Sequence, residues 1–241
     1  MDSSPFLRHV LTLMTGTAVA QGVTFLMMIV LARIYTPRDM GLLATYVSVA
    51  SILVAVAALR YDMAIMLPKK EPEALSVARL GMVCLTVVSL LATAVSLPLS
   101  GLIERQWGHE VALWMPLVGL TTFLMSAVEL FKYWFNRNSD YRAIAVNQAE
   151  QQIGLTSGQL VLGVAGMGGM AGLILGHTAG QVFAFANLGR QAKPLWRRLP
   201  QDAPPLRWAA RRYRRMPLLN GPNALRSEEH TSELQSLGRN S

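Results

Sequence analysis

QQIGLTSGQLVLGVAGMGGMAGLILGHTAGQVFAFANLG, residues 151–189, runs for 39 positions without an Asp, Glu, Lys or Arg. A helix needs about 20 mainly apolar residues to cross a hydrocarbon core about 30 Å thick. The run is long enough for two crossings, and Gly166, Gly168 and Gly169 at its middle form the natural turn. Four further charge-free runs precede it. One is enclosed between Val10 and Arg33; the others are Met40–Leu59, Leu80–Ile103 and Val111–Val128. Each fits one crossing.

The sequence thus predicts an all-α, polytopic membrane protein with a six-helix lobe. The helices are expected over about 8–34, 40–60, 76–103 and 110–135, with the hairpin of helices 5 and 6 over 144–188. Composition agrees. The 241 residues are 52% hydrophobic and 15% charged, against about a quarter charged in a soluble domain. Pro98 is expected inside the third helix, where neighbours satisfy the freed carbonyl. Trp107 and Trp114 read as interface anchors, and Phe131, Tyr133, Trp134 and Phe135 as an aromatic belt. The first run is too long for the apolar core of a signal peptide, and Met1–Arg8 carries little positive charge, so no cleavable signal is expected. The single Cys84 lies in the third run and makes no disulfide framework.

The net charge is +8, and its distribution speaks for topology. The N-terminal tail and the loops after helices 2, 4 and 6 hold Arg8; Arg60, Lys69, Lys70 and Arg79; Lys132, Arg137 and Arg142; and nine more cations between Arg190 and Arg215. The loops after helices 1, 3 and 5 hold only Arg33, Arg38 and Arg105. Seventeen cations against three, under the positive-inside rule, predict cytoplasmic termini. The basic excess is then a membrane-topology signal, and nucleic acid is not an expected partner.

The final residues differ in character. Arg226-Ser-Glu-Glu-His-Thr-Ser-Glu-Leu-Gln-Ser236 is polar and without hydrophobic period. It resembles the in-frame translation of a sequencing-adapter oligonucleotide, so residues 226–241 are expected to be non-native and the chain a fragment. The expected organisation is a six-helix lobe over 1–198, a proline-rich basic linker over 199–210, the start of a seventh helix over 211–225, and the tail. Within it, Trp208–Arg215 has the Arg and Trp content of an interfacial helix.

Three stretches carry a family resemblance: Leu31-Ala-Arg-Ile-Tyr-Thr-Pro-Arg-Asp-Met-Gly-Leu42, Leu59-Arg-Tyr-Asp-Met-Ala-Ile-Met-Leu-Pro68, and Asn136 to Arg142. They resemble the helix 1–2 connection, the Arg-Tyr-acidic segment after helix 2, and the lead into helix 5 of the O-antigen and polysaccharide flippases. These belong to the multidrug/oligosaccharidyl-lipid/polysaccharide exporter superfamily. The resemblance spans residues 5–225. It implies two similar lobes of six or more helices each, a substrate site at their interface, and flipping of an undecaprenyl-pyrophosphate-linked oligosaccharide across a bacterial inner membrane. This chain supplies the first lobe. Membrane lipids and a polysaccharide polymerase are the other implied partners; no cofactor or metal is expected.

A pyrophosphate calls for cations, and sugar hydroxyls for polar side chains. Arg60 and Asp62 close helix 2 and are the first candidates, since a guanidinium suits bidentate phosphate contact; the plainer reading is a flanking ion pair. Arg33 faces the same choice at the other end of helix 1. Glu129 is a candidate for ion coupling, with Lys132 at i+3 able to pair with it. Gln21, Gln151, Gln152, Gln159, His177, Gln181 and Asn187 are polar within apolar helices; they either line a hydrated cavity or bond helices together. Gly172, Gly176 and Gly180 form a small-residue ridge suited to close helix packing. The basic stretch Arg190–Arg215 would lie on anionic lipid headgroups or dock the substrate.

No catalytic constellation is present. His9, His109, His177 and His230 stand at unrelated positions, and no metal-ligand spacing, P-loop or nucleophile elbow occurs. An enzyme is not expected. The alternatives to a flippase are a multidrug/cation antiporter of the same superfamily and a non-transporting membrane fragment.

Overall fold

The computed structural model of the protein describes residue 22 and residues 25–196, 203–214 and 216. Gln21, the first part of helix 1, most of 211–225 and the tail 226–241 lie outside the described residues. All the regular structure described is helical. The main helices are α1 (Phe25–Ile34), α2 (Pro37–Ala57), α3 (Tyr61–Ala64), α4 (Glu71–Ser96), α5 (Ser100–Trp107), α6 (His109–Trp114), α7 (Val118–Arg137), α8 (Tyr141–Val164), α9 (Gly169–Gln191), α10 (Lys193–Trp196) and α11 (Leu206–Arg212). Among the described residues, four segments are long and apolar enough to cross a membrane: α2, α4, the continuous rod His109–Arg137, and α9. Multi-pass membrane insertion follows from these.

Local chemistry sets the breaks. Thr36 caps α2 with a full capping box: its hydroxyl accepts from the Asp39 N–H, the Asp39 carboxylate accepts from the Thr36 N–H, and Pro37 opens the first turn. Pro98 ends the third expected helix rather than sitting inside it. α4 stops at Ser96 and a separate α5 begins at Ser100, because proline lacks the N–H and its ring clashes with the preceding turn. Pro116 has a milder effect, tightening residues Met115–Leu117 into a 3₁₀ turn between α6 and α7. Gly166 and Gly169 both take positive φ, 86° and 72°, in the α8–α9 turn, a conformation glycine adopts without steric cost.

The connections gather at two ends. At one, Arg38 pairs with Glu110 at 3.4 Å, and Asp39 lies against Gly169. At the other, Arg137 donates to the Ile65 carbonyl at 3.0 Å, and the Ser76 hydroxyl donates to the Pro204 carbonyl at 2.7 Å. The loops after α2, after α7 and after α9 therefore share an end, as the alternation of charge-free runs requires.

The α8–α9 hairpin forms the most extensive interface. Its backbones touch through glycines. A Cβ on Gly158 would stand 2.9 Å from the Gly176 carbonyl, one on Gly154 would stand 3.5 Å from Gly180 Cα, and one on Gly176 would meet the backbone of Gly158 at 2.7 Å. Gly172 abuts the Tyr35 hydroxyl, where a Cβ would approach to 2.7 Å. Polar side chains bridge the same seam. Gln151 donates to Gln181 at 2.8 Å, Asn147 to the Ala184 carbonyl at 3.2 Å, and Gln159 to the Leu173 carbonyl at 3.3 Å. Asn187 bonds Glu150. Glu150, one residue before the charge-free run, therefore lies inside α8 and is bonded to its partner helix. A bond between membrane helices contributes about 0.6 kcal/mol on average, so this set acts collectively.

The main core joins α3, α4, α7, α8 and α9. Of the four aromatics read from sequence as an interfacial belt, Phe131, Trp134 and Phe135 are buried in it, and Tyr133 is half-buried. Phe131 packs on Phe185 at 5.6 Å between ring centroids. The belt reading fails because these rings face other helices of the bundle; their apolar area is removed from lipid and water alike.

Replacing Gly176 by Leu is expected to lower stability by about 1–3 kcal/mol through overpacking against α8. Gly41→Ala, where nothing lies within 4 Å of the added atom, should stay within about 0.5 kcal/mol of the parent. Thermal unfolding of the detergent-solubilised protein measures both. Equal midpoints for the two variants would refute backbone-to-backbone packing.

Candidate functional site

The stretch Leu59–Pro68 contains no glycine, yet Leu59 and Arg60 both adopt left-handed backbone, with φ of 47° and 63°. Left-handed geometry costs roughly 1–2 kcal/mol per residue. It lets the chain leave α2 and re-enter a helix at once in α3. The following residues supply the compensation: Tyr61, Ala64 and Ile65 are buried in the main core. Tyr61 lies against the bare flank of Gly81, where a Cβ would stand 3.6 Å from its own Cβ. With Tyr61 turned inward, Arg60 and Asp62 on either side of it line a cavity of about 180 Å³ between α2 and α7. Val54, Ala55 and Ala58 form the α2 wall; Ser126, Glu129 and Tyr133 form the α7 wall.

The two candidates named separately for substrate binding and for ion coupling therefore meet in one pocket. Arg60, Asp62 and Glu129 share it. Lys132 donates to Glu129 at 2.7 Å and is the more buried partner, 18% against 47% exposed. Glu129 and Tyr133 also wall an adjoining cavity of about 250 Å³ completed by Lys132, Asn136, Tyr141 and Ile144.

The polar atoms of the first cavity are incompletely satisfied. Among the described residues no ion pair joins Arg60 to Asp62, so the flanking-pair reading does not describe this geometry. Arg60 Nε, Asp62 Oδ1 and Ser126 Oγ are buried without a hydrogen-bond partner, and Ser126 is only 2% exposed. Unpaired buried groups of this kind are costly, at about 1–3 kcal/mol each, and mark a place for a ligand or water. Burial raises the Asp62 carboxyl above its ordinary range, helped by the nearby Glu129 and opposed by the Met63 N–H and by Arg60.

The remaining candidates fall elsewhere. Arg33 is exposed, four residues before the opposite end of α2. Gln159 is buried and bonded across the α8–α9 seam, and its carbonyl accepts from the Tyr35 hydroxyl at 2.7 Å. Gln152 is part-buried on the same helix and lines neither cavity of the site. Gly172, Gly176 and Gly180 lie in helix contacts. Sequence reasoning missed Ser126 and read Tyr133 only as part of an aromatic belt. Their signal was spacing: they stand three before and four after Glu129, on one face of α7. Glu150 was missed because it sits one residue outside the charge-free run.

No protein-family model, curated protein or solved structure matches the chain.

The raised Asp62 carboxyl fixes a sign. A folded-state value above the unfolded one means that the native state binds the extra proton, so stability falls as pH rises from the unfolded value, 3.8, through the folded one. Asp62→Asn is therefore expected to be more stable than the parent at neutral pH, with the difference shrinking toward pH 4. Unfolding midpoints in detergent across that range test it. A difference that widens on acidification would contradict the assignment.

Proposed function

We propose that this chain forms one lobe of a carrier that flips an undecaprenyl-pyrophosphate-linked oligosaccharide across a bacterial inner membrane by alternating access, for O-antigen or exopolysaccharide synthesis. Both termini of the lobe face the cytoplasm, and six helices span. The observation that carries the reading is the cavity of Arg60, Asp62 and Ser126, in which a guanidinium and a carboxylate sit side by side without satisfying each other. A ligand suited to it must bring an acceptor for Arg60 Nε and a donor for Asp62 Oδ1 together. A sugar phosphate ester offers both, with phosphate oxygens to accept and sugar hydroxyls to donate.

Arg60 and Asp62 fall in the stretch that resembles the flippases, Leu59–Pro68, and the concentration of cations at that end agrees with cytoplasmic loading of the substrate. Tyr133 and Tyr141, with Asn136 between them, give the adjoining cavity aromatic faces beside an amide. That mixture of apolar surface and hydrogen-bonding groups suits a hexose.

One observation favours a second reading. Asp62 and Glu129 line the same cavity, and paired carboxylates near a membrane end suit a multidrug/cation antiporter. That reading leaves the Arg60 guanidinium without a role and with an unfavourable charge toward a cationic drug.

Saturable binding of a fluorescent polyprenyl-pyrophosphate disaccharide by the chain in lipid nanodiscs is the expected result. Arg60→Gln should weaken it about tenfold or more, the loss of a charge-assisted contact. Unlabelled polyprenol should not compete. Equal competition by polyprenol would refute pyrophosphate recognition. Binding of a lipophilic cation, lost in Asp62→Asn and Glu129→Gln, would assign the site to the antiporter reading instead. Neither ligand binding would leave a non-transporting membrane protein.

A further inference from the structure

A further groove lies away from this site, on α11. It has a volume of about 510 Å³ and is lined by Pro205, Arg207, Trp208, Arg211 and Arg212. Three guanidiniums converge on it. All three arginines are exposed, and none has an ion-pair partner among the described residues. We propose that this groove binds the phosphate headgroup of an anionic phospholipid and fixes α11 at the membrane rim.

The helix is built for such a position. At 100° per residue, Arg207 and Arg211 stand opposite Ala209. Ala209 is fully buried in the main core, and Trp208 and Tyr213 pack against that core, meeting each other edge to face at 6.3 Å between centroids. One side of α11 is therefore held by the bundle, while the other presents cations. The Ser76 hydroxyl, bonded to the Pro204 carbonyl at 2.7 Å, ties the start of α11 to the second turn of α4.

That tie sets the depth. α4 is one of the helices able to cross the membrane. Its exposed apolar residues begin at Val83 and continue through Val87, Leu90, Leu91 and Val95. Val83 lies seven residues beyond Ser76, a rise of about 10 Å. The groove is thus placed just outside the lipid-facing apolar band, where headgroup phosphates lie. Arginine side chains can extend from there to the phosphates while their stems stay on apolar surface. Planar guanidiniums bind phosphate oxygens in pairs, and Trp208 supplies the amphipathic ring suited to this layer.

The inference is independent of the substrate proposed above. Energy transfer from tryptophan to dansyl-labelled phosphatidylglycerol, present as a minor component in phosphatidylcholine liposomes holding the protein, reports occupancy. Unlabelled phosphatidylglycerol should displace the probe and extra phosphatidylcholine should not. The triple variant Arg207→Gln, Arg211→Gln, Arg212→Gln should bind it at least about tenfold more weakly, since each cation at an anionic surface is worth roughly a fivefold change in affinity. The corresponding triple lysine variant should retain most of the binding and the same unfolding midpoint. Displacement by phosphatidylcholine as efficient as by phosphatidylglycerol would overturn the proposal. So would unchanged binding by the glutamine variant. Displacement by free inorganic phosphate would assign the groove to a soluble anion, and a clear preference for polyprenyl pyrophosphate would assign it to substrate docking; either result overturns the phospholipid assignment. The competition arms use the unaltered protein, so they decide the matter even if a variant fails to fold.

Discussion

Two helix backbones in contact, α8 on α9 at Gly158 and Gly176, are the constraint on which the bundle depends. Lipid tails are as apolar as leucine, so hydrophobic burial does little to draw membrane helices together; close packing and hydrogen bonds must do it. Glycine permits both. By removing side chains from the seam it brings the backbones near enough for Gln159 to reach the Leu173 carbonyl and Asn147 the Ala184 carbonyl. It also explains why α8, the least apolar of the long helices, can exist here. Asn147, Gln151 and Gln159 are turned toward α9, so the helix hides much of its polarity in an intramolecular seam. The hairpin then offers a stable surface to α7, through Phe185 against Phe123 and Phe131.

The candidate site depends on that surface at one remove. α7 carries Ser126, Glu129 and Tyr133 on one face while Phe131, Trp134 and Phe135 on others lock it into the core. Arg137 at its end holds the Ile65 carbonyl, and Ile65 is the inward anchor of the segment that presents Arg60 and Asp62. Local strain and global packing are therefore coupled. The left-handed backbone at Leu59 and Arg60 is unfavourable by itself and persists because Tyr61, Ala64 and Ile65 are over-determined by their neighbours. Strain of this kind fixes the backbone from which Arg60 enters the cavity it shares with Asp62.

The order of helices and the ends that their loops share were legible in the sequence, because charge exclusion from a hydrocarbon core leaves long runs that nothing else produces. The turn of the last hairpin was legible for the same reason, with glycines where positive φ is needed. Helix ends were less so. Pro98 and Pro116 sit in similarly apolar surroundings, yet one ends a helix and the other only tightens it, a difference set by tertiary context. The aromatic cluster after Glu129 was misread because composition cannot tell a ring facing lipid from one facing another helix. At the site, Arg60, Asp62 and Glu129 were visible as charges at membrane ends. That they share one cavity was not, since residues 60 and 129 are brought together by the packing of α2, α3 and α4 on α7.

The asymmetry of the bundle ends carries one more consequence. Arg60 lies at the end where the loops after α7 and α9 also gather, and the arginines of α11 lie there too. At physiological ionic strength exposed charges are screened beyond about 8 Å, so the basic rim does not draw a phosphate into the Arg60 cavity from afar. It acts on what already lies in the headgroup plane. A lipid-linked anion is confined to that plane and is concentrated by it, whereas a soluble anion meets the rim only by chance encounter. On the proposed function, the rim would select by geometry before the cavity selects by chemistry: charge at the surface would favour any anionic lipid, and the unpaired Arg60 Nε and Asp62 Oδ1 would then require one that can accept and donate at once.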